Sequence, residues 1–242
     1  MSSEFSVIRE EFDEELEAIK AIIAAFSDSK IGSPKTRVAA VNSATLLLAA
    51  TFEEFIREMA RTYARAVVIG SNTFDQIPAR IASTAWKRSM EALSRLRLDS
   101  KEKVGSREIA FTDAQSRFNV IYQFCQGDIT QDIYSDLIHN ENNMRPTEIN
   151  GLFRVSDLKD VCRVICDKQI LLDAFAETEP SKAHGQLVES LDAFFERRNQ
   201  IAHSIAIMRS TGPDLIQKDI DILSRFGRAL CETLEAVAPK QK

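Results

Sequence analysis

The chain has 242 residues, of which 44% are apolar and 28% are charged, and its formal net charge is −5. This length suits one large domain or two small ones and allows a core that needs neither disulfides nor a structural metal. Eight glycines and six prolines are too few for a disordered or fibrous chain and for most turn-rich β folds. The sequence has no apolar run of about 18 residues, no secretion signal and no transit peptide, so we expect a cytoplasmic protein without a membrane span.

The N-terminal segment is predicted to be an acidic amphipathic helix. Residues 1–30 hold eight acidic residues against three basic ones, and apolar residues recur at helical spacing over residues 4–26. We expect this helix to pack on a single helical domain formed by residues 31–242. The sequence leaves its role open, because an acidic helix can extend a dimer, dock a partner or occupy a basic groove.

An all-α fold is predicted, since no alternating strand pattern of useful length and no internal repeat occurs. The longest helix is expected over residues 36–69, where a seam spaced alternately by four and three residues must lie against other helices. The seam positions are Val41, Thr45, Leu48, Phe52, Phe55 and Met59. Polar loops are expected at residues 99–110 and 209–214, with an irregular stretch at 127–155. Further helices are expected from Pro78 to Leu98, from Thr112 or Asp113 to Cys125, and over residues 156–175, 181–206 and 214–237.

Two of the four cysteines, Cys162 and Cys166, are four residues apart and share a helix face. That spacing can hold a metal ion, but no histidine is nearby in the sequence and no second cysteine pair exists. Free cysteine is among the most buried residue types, so we interpret both as core thiols. We predict neither a metal site nor a cofactor.

Basic residues are concentrated in two places, although residues 31–242 sum to zero charge. Arg57, Arg61 and Arg65 recur every fourth residue, which places them in one stripe on a helix. Residues 80–103 hold seven basic residues, including Lys87 and Arg88, against three acidic ones. Each patch is either a solvated helix face or a surface that binds the phosphates along a nucleic-acid backbone.

The helix at 181–206 carries a charged residue where its apolar seam requires an aliphatic one. The seam spacing of three and four is interrupted at Arg198. The seam residues around it are His184, Leu187, Leu191, Phe194, Ile201, Ile205 and Met208. A buried guanidinium needs a carboxylate, a water-filled notch or a ligand phosphate. The structural alternative is an ion pair between helices, with Glu53, Glu54 or Glu58 as the partner.

A histidine and two further polar residues lie close to this arginine. Asn199 and His203 are four residues apart and share a face, and Glu196 lies one turn earlier. An imidazole suits acid–base catalysis near neutral pH, and a guanidinium suits phosphate oxygens. These groups match metal-free RNA cleavage, in which the ribose 2′-hydroxyl attacks its own phosphate and DNA is spared. Asn199 is expected to bind phosphate or hold the imidazole, and Glu196 to orient it.

The string FERRNQIAHS, residues 195–204, resembles the signature of HEPN-domain proteins. That signature is an arginine, a polar residue that is often asparagine, three to five further residues and a histidine. LLLAATFEEFIREMARTYA, residues 46–64, resembles the long second helix of the ribonuclease-like HEPN branch, known as RiboL-PSP-HEPN. HNENNMRPTEINGLF, residues 139–153, resembles the segment that this branch carries before its motif. The resemblance touches most of residues 36–235.

This resemblance implies an all-α HEPN-like bundle with extra peripheral helices, a homodimer formed through the motif helices, and metal-independent endoribonuclease activity. It assigns Arg198, Asn199 and His203 as the catalytic set. Such proteins often act as toxins or in defence against phage, with an antitoxin or defence-system protein as partner. The alternative is a non-catalytic HEPN-like module that binds a nucleotide or a partner protein.

One departure from the signature is that Arg197 precedes Arg198, so the spacing to His203 can be counted from either residue. Arg198 is preferred because Asn199 follows it and because it occupies the seam. The residues expected to contact RNA outside the catalytic set are Arg57, Arg61, Arg65, Lys87, Arg88 and Arg197.

Overall fold

The computed structural model describes residues 3–27, 32–96, 104–139, 142–203 and 212–239. Within these ranges every regular element is a helix, which confirms the predicted all-α fold. Single 3₁₀ turns lie at Phe74–Gln76 and Ile165–Asp167. The helices are α1 (Glu4–Ser27), α2 (Pro34–Gly70), α3 (Ala79–Ser94), α4 (Val104–Cys125), α5 (Tyr134–Leu137), α6 (Pro146–Arg154), α7 (Val161–Val164), α8 (Gln169–Phe175), α9 (Pro180–His203) and α10 (Pro213–Val237).

Two of the predicted boundaries are wrong. Helix α4 begins at Val104, so the later part of the stretch predicted as a polar loop is helical. The helix predicted over residues 156–175 is instead α7, a 3₁₀ turn and α8: helical structure begins only after Asp160, whose backbone is left-handed, and Lys168, whose backbone is extended, separates the 3₁₀ turn from α8. Neither backbone conformation occurs inside a right-handed helix, so each of these residues interrupts the predicted one. The predicted ends of the helices at 78–98 and 181–206, and the turn at 209–214, fall partly outside the described residues.

The chain forms two compact units, each of which draws on separate stretches of sequence. The first unit comprises residues 1–59, 142–151 and 159–237, and the second comprises residues 60–141, 152–158 and 238–242. In the first unit, α1 packs along α10, and α9 packs against α7 and α8. The predicted division into residues 1–30 and 31–242 stays a prediction.

The core of the first unit is built from aromatic rings. Phe12 stacks on Phe55 with ring centroids 4.2 Å apart, and Phe52 meets Phe226 edge to face at 5.4 Å. At Gly227 a Cβ atom would lie 3.2 Å from the Phe12 ring and 3.3 Å from the Phe55 ring. The absence of a side chain there lets α10 approach these rings closely. All six predicted seam positions of α2 are buried, which confirms that seam.

The second unit contains α3, α4, α5 and the C-terminal part of α2. Phe74 meets Phe124 edge to face at 5.6 Å. The Arg65 guanidinium lies 5.1 Å from the centre of the Tyr134 ring, a cation–π geometry. Arg65 of this unit therefore takes part in packing.

Among the described residues one helix, α2, is long and apolar enough to span a membrane by length and composition alone. Less than half of its most apolar window is buried, and the core helix of a soluble protein passes the same test. The finding is weak evidence for a membrane span.

Candidate functional site

Helix α9 buries one face and ends at the residues predicted to carry the chemistry. Leu187, Leu191 and Phe194 are buried, as the predicted seam requires. Arg198 occupies the next position on this face and is half-buried. Its Nε atom is buried and has no hydrogen-bond partner among the described residues. A guanidinium thus enters the apolar seam with part of its hydrogen-bonding capacity unused, and this is costly unless another group or a ligand compensates it.

A carboxylate from α2 lies near this guanidinium. Burial raises the pKa of Glu53, and the charges of Arg198 and Arg57 and a hydrogen bond from the Met144 backbone N–H lower it in part. The Oε1 atom of Glu53 is buried and also lacks a hydrogen-bond partner within the described ranges. The structural alternative considered for Arg198, a partnership with Glu53, is therefore partly realised. It is an electrostatic contact between two incompletely satisfied groups.

The neighbouring arginine has a different role. The Nη2 atom of Arg197 donates to both carboxylate oxygens of Asp219 on α10, at 2.6 and 2.7 Å. The two side chains are 16% and 9% exposed. Burial raises the pKa of Asp219, while the hydrogen bond and charge of Arg197 act in the opposite direction. Arg197 therefore holds α9 to α10, and its predicted contact with RNA stays a prediction.

Asn199 accepts hydrogen bonds from two directions. Its Oδ1 atom receives one from Asn143 Nδ2 at 2.9 Å and one from Arg198 Nη1 at 3.3 Å. Two donors on the oxygen orient the amide plane, which leaves the NH₂ group to donate elsewhere. Sequence reasoning found Asn199 and Arg198 and missed Asn143. The sequence signal that could have found Asn143 is the resemblance of residues 139–153 to the segment that the family carries before its motif. That resemblance assigned no role to any single residue.

Arg145 fixes the same segment to the outer face of α9. Its guanidinium bridges Asp192 Oδ1 and Glu196 Oε2, each at 3.3 Å. Glu196 also accepts a hydrogen bond of 3.4 Å from Gln200. These contacts join Glu196 to Arg145 and Gln200, and its predicted role in orienting the imidazole of His203 stays a prediction.

His203 is the last residue of α9, and its side chain is exposed. On an ideal helix, residues five apart differ in direction by about 140° and in height by about 7.5 Å. On an ideal helix the side chains of Arg198 and His203 therefore leave α9 in different directions. Ile205 and Met208 of the predicted seam lie outside the described residues.

A comparison with protein families gives one match, to the model described as RiboL-PSP-HEPN, over residues 10–236. The chain belongs to this family. The HEPN family is nuclease-associated, so the protein is a nuclease-like or RNA-related module. No curated protein and no solved structure matches the chain.

In this RiboL-PSP-HEPN protein, the three α2 arginines that are predicted to contact RNA differ in their surroundings. Arg57, in the first unit, donates to Glu54 at 2.9 Å. In the second unit, Arg61 and Arg65 are half-buried, and Arg65 lies over Tyr134 as described above. Their contribution to an RNA surface stays a prediction.

The basic stretch on α3 belongs to the second unit. Lys87 is exposed and lies 3.8 Å from Glu91. Arg88 is half-buried, donates to the Leu137 carbonyl, and has its pKa lowered by burial, an effect that Glu91 opposes. Of this pair, Lys87 is better placed to meet a phosphate in solvent.

The two closely spaced cysteines of the RiboL-PSP-HEPN protein are buried, as a core role requires. The Cys166 thiol donates to the Cys162 carbonyl at 3.1 Å, and burial raises its pKa to about 12. Across the described ranges, no group of three or more His, Cys, Asp or Glu side chains is arranged to hold a metal ion.

Proposed function

We propose that this protein is a metal-independent endoribonuclease that cleaves RNA by attack of the ribose 2′-hydroxyl. The observation that carries the proposal is the half-buried Arg198, whose buried Nε lacks a hydrogen-bond partner among the described residues. It is held beside Asn199 on a helix that ends in an exposed His203. A phosphate oxygen supplies the acceptors and the negative charge that such a guanidinium needs.

Each residue has a defined part in the reaction. One imidazole of His203 removes the proton of the 2′-hydroxyl, and the oxygen then bonds to the adjacent phosphorus. Arg198 and the Asn199 NH₂ group stabilise the charge that develops on the phosphate oxygens. The bond from phosphorus to the 5′-oxygen breaks, and a second imidazole protonates that oxygen. The products are a 2′,3′-cyclic phosphate and a 5′-hydroxyl. The Arg198 guanidinium supplies the positive charge that stabilises the transition state.

The reaction requires two copies of the chain. Within one α9 helix, Arg198 and His203 point in directions about 140° apart, so one helix does not present both to one phosphate. Two α9 helices that cross near a two-fold axis bring both copies of both residues into one cleft. A homodimer through α9 therefore supplies the second imidazole as well.

The first experiment compares the wild type with His203→Ala on total RNA in excess EDTA. We expect cleavage by the wild type and a loss of about 10²–10⁴-fold in the variant, the range typical of a lost general acid or base. His139→Ala, which removes an exposed histidine outside the motif, is the control and should cleave normally. Sequencing of RNA 3′ ends should reveal cyclic phosphates. Cleaved RNA whose 3′ ends carry no cyclic phosphate, or a fully active His203→Ala variant, would overturn the proposal.

A mixing experiment tests the two-copy site. Arg198→Ala and His203→Ala are each expected to be inactive as homodimers. Their heterodimer retains the Arg198 guanidinium of one copy and the His203 imidazole of the other, and water must protonate the leaving 5′-oxygen in place of the second imidazole. Mixing should therefore restore a small part of the activity, above that of either homodimer. Full wild-type activity in a protein that sediments as a monomer would contradict the dimer.

We propose a cellular role as a toxin or anti-phage effector that an antitoxin or defence partner restrains in the cytoplasm. Overexpression should then slow growth, and Arg198→Ala should relieve the effect. Equal growth inhibition by the wild type and by Arg198→Ala would contradict this role.

The second candidate function is a non-catalytic HEPN module that binds a nucleotide or a partner protein. The observation that favours it is Glu53, whose charge partly compensates Arg198 inside the fold. This function predicts no cleavage by the wild type or by His203→Ala, with binding retained by both.

A further inference from the structure

Three consecutive residues before α6, Asn143–Arg145, contact the motif helix and its neighbour. We call this segment the strap. Asn143 donates to Asn199 Oδ1 at 2.9 Å, and Arg145 bridges Asp192 and Glu196 at 3.3 Å. Between them, the Met144 side chain is fully buried and its backbone N–H donates to Glu53. The strap therefore touches both groups that lie against Arg198.

Two residues of the strap, Met144 and Arg145, hold it in place, and the third, Asn143, contacts the candidate site. Asp192 and Glu196 are one turn apart on α9, and one guanidinium that bridges them fixes the strap along the helix axis. The buried Met144 side chain prevents the strap from lifting, since exposing it would cost hydrophobic free energy. Asn143, held in place by these two residues, reaches the site itself. Its bond to Asn199 is half-buried, so water competes with it only in part.

We propose that Asn143 is a positioning residue for the phosphate-binding pair Arg198 and Asn199, a role that rests on the proposed RNA cleavage. The amide of Asn143 donates to the oxygen of the Asn199 amide and thereby turns the NH₂ group of Asn199 toward the phosphate. Arg198 donates to the same oxygen, so its guanidinium is held at the same point. Without the Asn143 donor, the Asn199 amide is free to rotate by half a turn and present its oxygen, which repels a phosphate.

The test uses Asn143→Asp, which keeps the shape of the side chain and removes the donor. An ionised carboxylate accepts from the Asn199 NH₂ group and reverses that amide. We expect kcat/KM for a fluorogenic RNA to fall about tenfold or more, the effect of one lost hydrogen bond in a site. The melting temperature should change little. Asn150→Ala, which removes an acceptor for the Cys162 N–H, is the structural control and should lower the melting temperature while kcat/KM is retained.

A double-mutant cycle separates positioning from a general structural role. If Asn143 acts through Asn199, Asn143→Ala should lower kcat/KM in the wild type and have no further effect in Asn199→Ala. Equal losses in the two backgrounds would overturn the inference. Wild-type kcat/KM in Asn143→Asp would also overturn it and would leave the proposed nuclease intact.

A binding assay tells failure of this inference from failure of the proposed function. The probe is a 2′-O-methyl RNA oligonucleotide, which lacks the attacking hydroxyl. If the wild type binds it without cleaving ordinary RNA, and Asn143→Asp weakens binding about tenfold, the nuclease proposal fails and the positioning role stands. If Asn143→Asp binds as tightly as the wild type, the positioning role fails. If the wild type neither binds nor cleaves, both fail.

Discussion

Arg197 and Arg198 are adjacent in the chain, but they differ in how far their guanidinium groups are hydrogen-bonded within the fold. Arg197 donates to both oxygens of Asp219 at 2.6 and 2.7 Å, whereas Arg198 keeps a buried Nε that has no hydrogen-bond partner among the described residues. One guanidinium is bound within the fold and the other is incompletely satisfied. This difference gives Arg197 a structural role and leaves Arg198 as the residue that we propose to bind phosphate.

We expect Arg197→Ala to destabilise the protein by about 3 kcal/mol, because it leaves the buried Asp219 without its partner. Arg198→Ala should change the free energy of unfolding by about 1 kcal/mol or less and should abolish RNA cleavage. Urea unfolding followed by circular dichroism measures the first effect, and the cleavage assay measures the second. A stable Arg197→Ala variant would contradict the role given to the ion pair with Asp219.

The control for this comparison is the double variant Arg197→Ala/Asp219→Ala. Removing both charges leaves no unpaired carboxylate, so it should be more stable than Arg197→Ala alone. If the double variant loses as much stability as the Arg197→Ala and Asp219→Ala variants lose together, the two side chains are not coupled. The structural role given to Arg197 would then be wrong.

Glu53 should make the stability of the protein depend on pH in a defined direction. Burial raises the pKa of Glu53 in the folded state, against the partial opposition of Arg198. Its contribution to stability is therefore present below the ordinary carboxyl pKa and is lost as pH rises through the raised value. Glu53→Gln, which mimics the protonated form, should gain stability relative to the wild type as pH rises above the ordinary carboxyl pKa.

The measurement is urea unfolding of both proteins at several pH values, with Glu54→Gln as the control on the exposed side of α2. The difference between Glu53→Gln and the wild type should grow toward neutral pH. A constant difference would show that Glu53 ionises as readily in the folded state as in the unfolded state. A difference that grows toward acid would show that it ionises more readily in the folded state.

Two helical glycines should respond to substitution in different ways. Nothing lies within 4 Å of a Cβ atom added at Gly185 on α9, so Gly185→Ala should stabilise the protein by about 0.5–1 kcal/mol through helix propensity. At Gly227 the rings of Phe12 and Phe55 lie 3.2 and 3.3 Å from the same atom. Gly227→Leu overfills this contact and should destabilise the protein by about 1–3 kcal/mol.

Thermal unfolding monitored by circular dichroism compares the two variants. Because both lie inside helices, the propensity gain alone would shift their melting temperatures in the same direction. Equal stabilisation at the two positions would contradict the close approach of α10 to the aromatic core.

The cysteines should differ in reactivity toward a thiol reagent such as DTNB. Cys162, Cys166 and Cys231 are buried, and burial raises the pKa of each thiol. Cys125 is half-buried and should react first in the native protein. Four thiols should react after unfolding. Rapid labelling of Cys162 in the native state would contradict its place in the core.

Much of the fold could be predicted from the sequence. The seam of α2 from Val41 to Met59 is buried as its spacing requires. The interruption of the α9 seam at Arg198 also follows from spacing, and the structure places that residue half-buried. The break before α8 was not predictable, because the extended backbone of Lys168 has no strong local signal.

The sequence by itself indicated the all-α fold, the family and a proposed set of catalytic residues. These depend on local information, because an α-helix is closed by hydrogen bonds four residues apart and its buried face repeats with the same period. The tertiary structure decided which arginine is bound within the fold and what holds Asn199. The partners involved lie 22 residues away, for Asp219, and 56 residues away, for Asn143. Contacts at such separations depend on how helices and loops pack in three dimensions, and no periodicity in the sequence encodes them.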